Sequence, residues 1–408
     1  MAYHPLTEAE AVTYVKRLPN LFSEGAELSS KEIGDGNLNL VFQIQDAATG
    51  KSVIVKQALP FARVVGESMP LTLDRSRIES EALVFQHKFV PELVPQVYHH
   101  DDELALTVME DVSDHVLLRK GLIGGNRYPQ FPKQIGRFLA QTLFFTSDLG
   151  AHPFEKKAWV GKFINPELCK ITEDLVFTDP YEDHPGNNFN PLIRNEVEAI
   201  WNNIPLKREI AHLKYGFLTR AEALLHGDLH TGSIFVTETS TKVIDPEFAY
   251  YGPLGFDIGA LIANLLLNFA GQHGLQPDRE ERESFRNYLL DTVEAVWNEF
   301  VSQFVQLWHK QAKERSAHVE GFWQEYVNRL IQDSAGYAGC KMMRRVIGLS
   351  GVADLNSIAD DHVRAEAERL ALQIGQALVL ERKTIVEATD ITAIVRREAA
   401  KFYQEETV

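Results

Sequence analysis

Cysteine is almost missing from these 408 residues: Cys169 and Cys340 are the only two, far apart and in no CxxC arrangement. Neither a disulfide framework nor a cysteine zinc site is expected. Positive charge is scarce as well, with 41 Lys and Arg against 57 Asp and Glu and a formal net charge of −16. That balance argues against a nucleic-acid partner, which needs a basic face. It does not exclude a small anionic cofactor, because one lysine or a metal ion overrides the mean field locally. Long apolar runs are lacking. The most apolar stretch, IGALIANLLLNFAG at 258–271, is uncharged but spans only 14 residues, short of the ~20 that a bilayer-spanning helix needs. It reads as a buried core helix. The N-terminal MAYHPLTEAEAVTYV has no basic segment followed by an apolar one, so no signal peptide and no membrane partner are expected, and the expected location is the cytoplasm. No internal repeat or low-complexity tract is visible.

What is present is a chain with 45% hydrophobic residues, enough for one large core or two lobes. Residues 7–18 read as a short amphipathic helix. LVFQIQ and SVIVKQA are β-branched and alternate in polarity, with DAATG between them as a hairpin loop. ELSSKEI is a further candidate strand and ALTVMEDV, 105–112, another. Between them, 74–88 repeats apolar residues at helical spacing (Ile78, Ala82, Leu83, Phe85), with Asp74 as a candidate N-cap. After Asp114 the pattern becomes helical, at 132–149, 283–313, 320–349, 361–381 and 388–404. Residues 151–203, rich in Pro, Asn and Asp, read as irregular. The expectation is an α+β chain: a β-rich lobe over 1–112 and a mainly helical lobe over 113–408.

The exception in the helical part is LLHGDLHTGSIFVTETSTKVIDPE, 224–247, which reads as turn, strand, turn, strand. Asp228, at the start of its loop, suits a general base or the orientation of a substrate hydroxyl. Asp245 and Glu247, separated by Pro246, could share Mg²⁺, which takes one or two carboxylates plus substrate phosphates. A base on one arm and metal ligands on the other is what phosphoryl transfer asks for. Taken singly, each acid is equally an ordinary turn residue. Lys56 sits mid-strand, where it can snorkel from an edge; with the acidic loops downstream, it fits the α/β-phosphates of ATP better. Glu79 is its candidate ion-pair partner or a solvated helix acid, while Glu81 faces another way. GDGNLN, 34–39, is a weak phosphate loop with two glycines, Gly34 and Gly36; Asn37 and Asn39 can donate to phosphate or bond locally. Glu110, Asp111 and Val112 form either a hinge whose backbone pairs with adenine or a plain strand-to-helix turn. Asp257 is an N-cap or a brace for the loop of Asp228. Arg344 and Arg345 adjoin in an apolar helix, where neighbours lie ~100° apart, so both reach one site only at its edge. His226 and His230 flank Asp228, as loop-bracing residues or, with it, a metal site.

LLHGDLHTGSIF and KVIDPEF resemble the catalytic and metal loops of the aminoglycoside phosphotransferase and choline kinase group, which shares the protein kinase-like bilobal fold. GDGNLNLVF, VIVKQALPFARVVGESMPLTLDRSRIES, VMEDVS, VIDPEFAYYGPLGFDIG and GCKMMRRVIGL resemble, more specifically, the methylthioribose kinase family of methionine salvage, over about residues 30–350. The resemblance implies ATP and Mg²⁺ as cofactors, nucleotide contact at Asn39, a sugar acceptor held by Asp228, Arg344 and Arg345, transfer to the anomeric hydroxyl, and a homodimer. Two departures stand out. Ser233 occupies the position of the usual metal-binding Asn, and Asp245-Pro246-Glu247 replaces Asp-Phe-Gly. Glu247 is expected to replace the missing amide. The alternatives are a related kinase acting on an aminoglycoside, choline, fructosamine or homoserine, or a nucleotide-binding pseudokinase, which Ser233 motivates.

Overall fold

The computed structural model describes residues 3–33, 38–62 and 66–405. The chain divides into two units, one of Met1–His115 with Lys242–Ala249, the other of Val116–Thr241 with Tyr250–Val408. Division at 112/113 by sequence left Lys242–Ala249 with the helical part; it clusters with the first unit.

In the first unit, helix α1 (Glu8–Val15) begins at Thr7, whose hydroxyl accepts from the Glu10 amide while Glu10 accepts from the Thr7 amide. This reciprocal pair satisfies two end donors. Strands β1 (Leu28–Glu32), β2 (Asn39–Asp46) and β3 (Ser52–Ala58) follow, then the short pair β4 (Phe61–Ala62) and β5 (Gly66–Pro70), helix α2 (Asp74–His87), and strands β6 (Val97–Asp101) and β7 (Leu106–Glu110). The main sheet is antiparallel in the order β1-β2-β3-β7-β6. Strand side chains alternate between faces. Leu40, Phe42, Ile44, Val53 and Val55 therefore fall on one side, packed with Ala11 and Val15 of α1. Gln57 shares that buried side and is fully bonded: it accepts from the Leu6 amide at 2.8 Å and donates to the carbonyls of His4 and Leu104 at 2.9 and 3.0 Å. Lys56, one residue earlier, faces the other way, in register with Val41 and Thr107. On that side α2 packs against β3, β6 and β7. Asp74 is the first helical residue rather than the cap; Leu73 holds the cap position, and the Asp74 carboxylate accepts from Arg77 at 2.7 Å instead.

The second unit opens with β8 (Val116–Leu117), α3 (Leu118–Ile123) and α4 (Phe131–Thr146). Residues 151–203 are largely helical rather than irregular, with 178–193 lying outside the α-helices. They hold α5 (Pro153–Lys162), α6 (Pro166–Phe177) and α7 (Arg194–Asn202), and α8 (Ile204–Thr219) follows. Two of the prolines that suggested loops, Pro153 and Pro166, stand in the first turns of α5 and α6, where a fixed φ helps and the missing N–H costs nothing. Strands β9 (Ala223–Leu224), β10 (Ile234–Val236) and β12 (Tyr251–Gly252) come next, while β11 (Thr241–Val243) falls in the first unit from Lys242 on; β10 pairs with β8, and β12 with β9. Helices α9 (Gly255–Leu275), α10 (Arg279–Gln311), α11 (Phe322–Ile347), α12 (Ala353–Asn356), α13 (Asp361–Glu381) and α14 (Ala388–Glu405) complete the unit. Helix α9, which carries the uncharged stretch 258–271, is buried from Gly255 to Gln272 and packed on α10, α11 and α13. Among the described residues, no helix is long and apolar enough to cross a membrane.

Candidate active site

The first unit brings Glu79, Asp245 and Glu247 together near Lys56. Its ammonium donates to Glu79 Oε1 at 2.7 Å and also to Asp245 Oδ1. Asp245 reaches it because β11 ends just before a residue at φ +69°, a left-handed conformation that Asp tolerates better than bulkier side chains. The segment is fixed further by the Val243 amide on the Leu93 carbonyl at 2.7 Å and by Lys242 on Glu110 at 3.0 Å. Glu247, 3% exposed, pairs with the fully buried Arg75. Burial works against the charge on Lys56, but Asp245, Glu79 and Glu247 outweigh it and raise its pKa. Burial also pushes Glu79 up, to about 7, against the pull of Lys56 and with the help of the other two carboxylates.

Glu79, Asp245 and Glu247 each offer an oxygen within 4.8 Å of the others, and they are the one metal-competent group among the described residues. Three carboxylates against Lys56 and Arg75 leave a deficit of positive charge. An all-oxygen set of this kind fits a hard divalent cation. Arg75 escaped the sequence reading, although it stands four residues before Glu79, and so on the same helix face. Besides Glu247, its guanidinium donates to Asn39 Oδ1 at 2.7 Å, to the Leu59 carbonyl at 2.9 Å and to the Leu38 carbonyl. Asn39 is thereby bound by its side-chain oxygen, which leaves its amide hydrogens for other partners. Gly34, Gly36 and Asn37 lie outside the described residues. Glu81 pairs with Arg77 at 2.7 Å on the exposed face. The side chains of Glu110 and Asp111 are committed locally, Glu110 to Lys242 and the Gln96 amide, Asp111 to Gln43 at 2.7 Å and the Ser113 amide at 2.9 Å. Any adenine pairing there falls to the backbone.

The second unit builds a separate cluster around Asp228. Asp257 lies in the first turn of α9 and caps nothing there. Its carboxylate accepts from the amides of His226 at 2.6 Å and Gly227 at 3.0 Å, bracing the loop. Gly227 sits at φ +85°, where a Cβ would be strained. His226 Nδ1 accepts from the Asp228 amide at 3.3 Å. Ser233 is buried; its hydroxyl lies 3.2 Å from the Asp228 carbonyl and 3.0 Å from His230 Nδ1. At this position the serine holds the loop together.

Asp228 Oδ1 accepts from Lys341 Nζ at 2.9 Å, and Oδ2 lies 3.3 Å from His230 Nε2. Burial opposes ionisation of Asp228, but Lys341 first, then His230, Arg345 and Arg344, hold its carboxyl well below the usual range. Burial, partly offset by Asp228 and reinforced by Arg119, Arg345 and Lys341, keeps the His230 pKa well below the ordinary value. Lys341 was overlooked in sequence, yet it stands three and four residues before Arg344 and Arg345, on their helix face. Arg344 and Arg345 both turn toward the Ser350 carbonyl at 3.4 Å, a loose contact, and Arg344 Nε is buried without a hydrogen-bond partner. Burial and then Arg344 lower the Arg345 pKa to about 9. Arg119 enters from α3, held by Asp354 at 3.2 Å and Asn264 at 2.9 Å. His226 and His230 form no metal group with Asp228 among the described residues.

Residues 29–300 match the model of the phosphotransferase enzyme family, and the chain belongs to that family. The methylthioribose kinase of Geobacillus sp. (strain WCH70) is 49% identical over 392 residues, 96% of this chain and 96% of its own length. That of Yersinia pseudotuberculosis serotype O:1b (strain IP 31758) is 47% identical over 395 residues, 97% of each. Within the phosphotransferases, the chain therefore falls among the methylthioribose kinases. Among solved structures, an ethanolamine kinase of Plasmodium vivax aligns over 97% of this chain and 89% of its own, at 12% identity and a TM-score of 0.46. Membership makes the chain an ATP-using small-molecule kinase of the α+β, kinase-like class expected from its sequence.

Proposed function

We propose that the chain transfers the γ-phosphoryl group of ATP to the anomeric (1-) hydroxyl of S-methyl-5-thioribose, giving the 1-phosphate and ADP, as a step of methionine salvage. The observation that carries this reading is the positive charge concentrated on one carboxylate: Lys341 donates to Asp228 at 2.9 Å, and Arg344 and Arg345 add to the field that keeps it ionised. Choline or an aminoglycoside would be repelled there. A neutral sugar is not, and the planar fork of an arginine grips vicinal hydroxyls well.

Lys56, fixed by Glu79, grips the α/β-phosphates, with Asn39 and the backbone of Glu110–Val112 on the nucleotide. Asp245 and Glu247, on either side of Pro246, would hold Mg²⁺, which when bound neutralises charge on the phosphates. Asp228 aligns the acceptor hydroxyl and takes its proton. The hydroxyl oxygen forms the new P–O bond as the bond from the γ-phosphorus to the β–γ bridging oxygen breaks in line, and ADP leaves with that electron pair. Because Asp228 is a weak base, it takes the proton late, which suits a loose transition state. Arg344 and Arg345 hold the sugar hydroxyls and offset charge on the transferring group. The functional protein is a cytoplasmic homodimer. Coupled ADP release with S-methyl-5-thioribose, with ribose as control, tests the reading. Turnover with the thiosugar that collapses in Asp228→Asn while ATP still binds supports it; turnover with choline or an aminoglycoside and none with the thiosugar overturns it.

A further inference from the structure

Lys341 has no role in the mechanism above, yet it makes the shortest side-chain contact to Asp228. Its ammonium is buried, at 4% exposure for the residue, and lies 4.8 Å from the centre of the Phe256 ring. Phe256 is itself fully buried and packed edge-on against Tyr337 at 5.4 Å. A lysine in mid-helix with a ring on one side and a carboxylate on the other has little rotamer freedom. Phe256 adjoins Asp257, so consecutive residues of α9 support the loop twice: Asp257 fixes its backbone amides, and Phe256 backs the cation that fixes its side chain.

We propose that Lys341 is a positioning residue for the phosphoryl transfer: it pins Oδ1 of Asp228 so that Oδ2 is presented to the acceptor hydroxyl. Oδ2 has the looser contact, 3.3 Å to His230, and is the oxygen free to turn toward a ligand. The inference rests on the reading of Asp228 as the group that takes the hydroxyl proton. The charged groups that act on Asp228 are Lys341, Arg344 and Arg345 from α11 and His230 from its own loop, and Arg119 of α3 acts on His230. Removing Lys341 leaves the arginines to hold the carboxylate ionised from further away.

The test uses the full chain with ATP and the thiosugar, comparing Lys341→Met, Lys341→Arg and the parent. Lys341→Met is expected to lower kcat by about 10- to 100-fold, the loss of one charge-assisted hydrogen bond, with KM for ATP within about 2-fold. The acid limb of its kcat profile moves to higher pH, because a carboxyl deprived of its ammonium protonates earlier on acidification. Lys341→Arg recovers a large part of both. A Lys341→Met enzyme with kcat within about 3-fold of the parent and an unmoved pH profile overturns the inference. So does loss of a cooperative melt in both variants, which would make Lys341 a packing residue. If the parent turns over no acceptor, the functional reading fails first. A carboxyl NMR titration of Asp228 in parent and Lys341→Met, assigned with Asp228→Asn, then still decides whether Lys341 governs that carboxyl; identical titrations overturn it.

Discussion

Replacing Arg75 by methionine removes the one guanidinium that ties strand β2, the segment after β3 and the Asp245–Glu247 turn to helix α2. Arg75 is fully buried and donates to Asn39 at 2.7 Å, the Leu59 carbonyl at 2.9 Å, the Leu38 carbonyl and Glu247. Methionine fills much of the same volume and supplies no donor. Taking one partner from a buried ion pair costs about 3–5 kcal/mol, because the remaining charge is uncompensated. The Leu59 carbonyl, deprived of its donor, adds about 1–3 kcal/mol, and these terms overlap rather than sum; the Leu38 carbonyl keeps the Leu59 amide at 3.1 Å. A loss of at least ~3 kcal/mol remains, a large share of an ordinary domain's stability. At about 3–6 °C per kcal/mol for a unit of this size, the midpoint falls by about 10 °C or more. The two units need not melt together, and the sequence separates their signals: all five tryptophans, at 159, 201, 297, 308 and 323, lie in the second unit. Hydrogen exchange of the β2 and β3 amides reports the first unit, and tryptophan fluorescence the second. Protection in β2 and β3 should drop while the fluorescence transition stays near that of the parent. If β2–β3 exchange shifts by less than ~1 kcal/mol, the guanidinium is not holding this corner and the reasoning fails.

Glu247→Gln should raise the Mg²⁺ concentration needed for half-maximal turnover by at least ~10-fold, the scale on which changes at a metal shell act. An unchanged requirement would sink the idea that Glu247 stands in for the asparagine absent at Ser233. Gly339→Ala places a Cβ 2.3 Å from the Gly375 carbonyl, where α11 crosses α13, so overpacking should cost about 1–3 kcal/mol; a denaturant midpoint equal to the parent's, followed by tryptophan fluorescence, would show that the helices part freely.

Legibility in the sequence followed the reach of the interactions. Strands β2, β3 and β7 and helices α10, α11, α13 and α14 were readable because period-2 and period-3.6 burial is a local pattern, and α9 because an uncharged apolar run is local too. The stretch 151–203 was misread for a local reason as well. Proline starts a helix as readily as it ends one, and only the following residues tell which. Glu79 rather than Glu81 as the partner of Lys56 was readable, since helical phase separates them. Arg75 and Lys341 carried the same phase signal, four residues before Glu79 and three before Arg344, but nothing in the sequence says which helical cations turn inward.

The sequence by itself therefore determined the α+β class and the family, because residue type, spacing and short-range periodicity are written along one dimension. Tertiary structure alone decided which charges meet. Lys56 with Asp245, Arg75 with Glu247 and Lys341 with Asp228 are separated by 189, 172 and 113 residues. A buried charge takes as partner whatever opposite charge the fold delivers to it, since desolvation penalises every arrangement that leaves it alone.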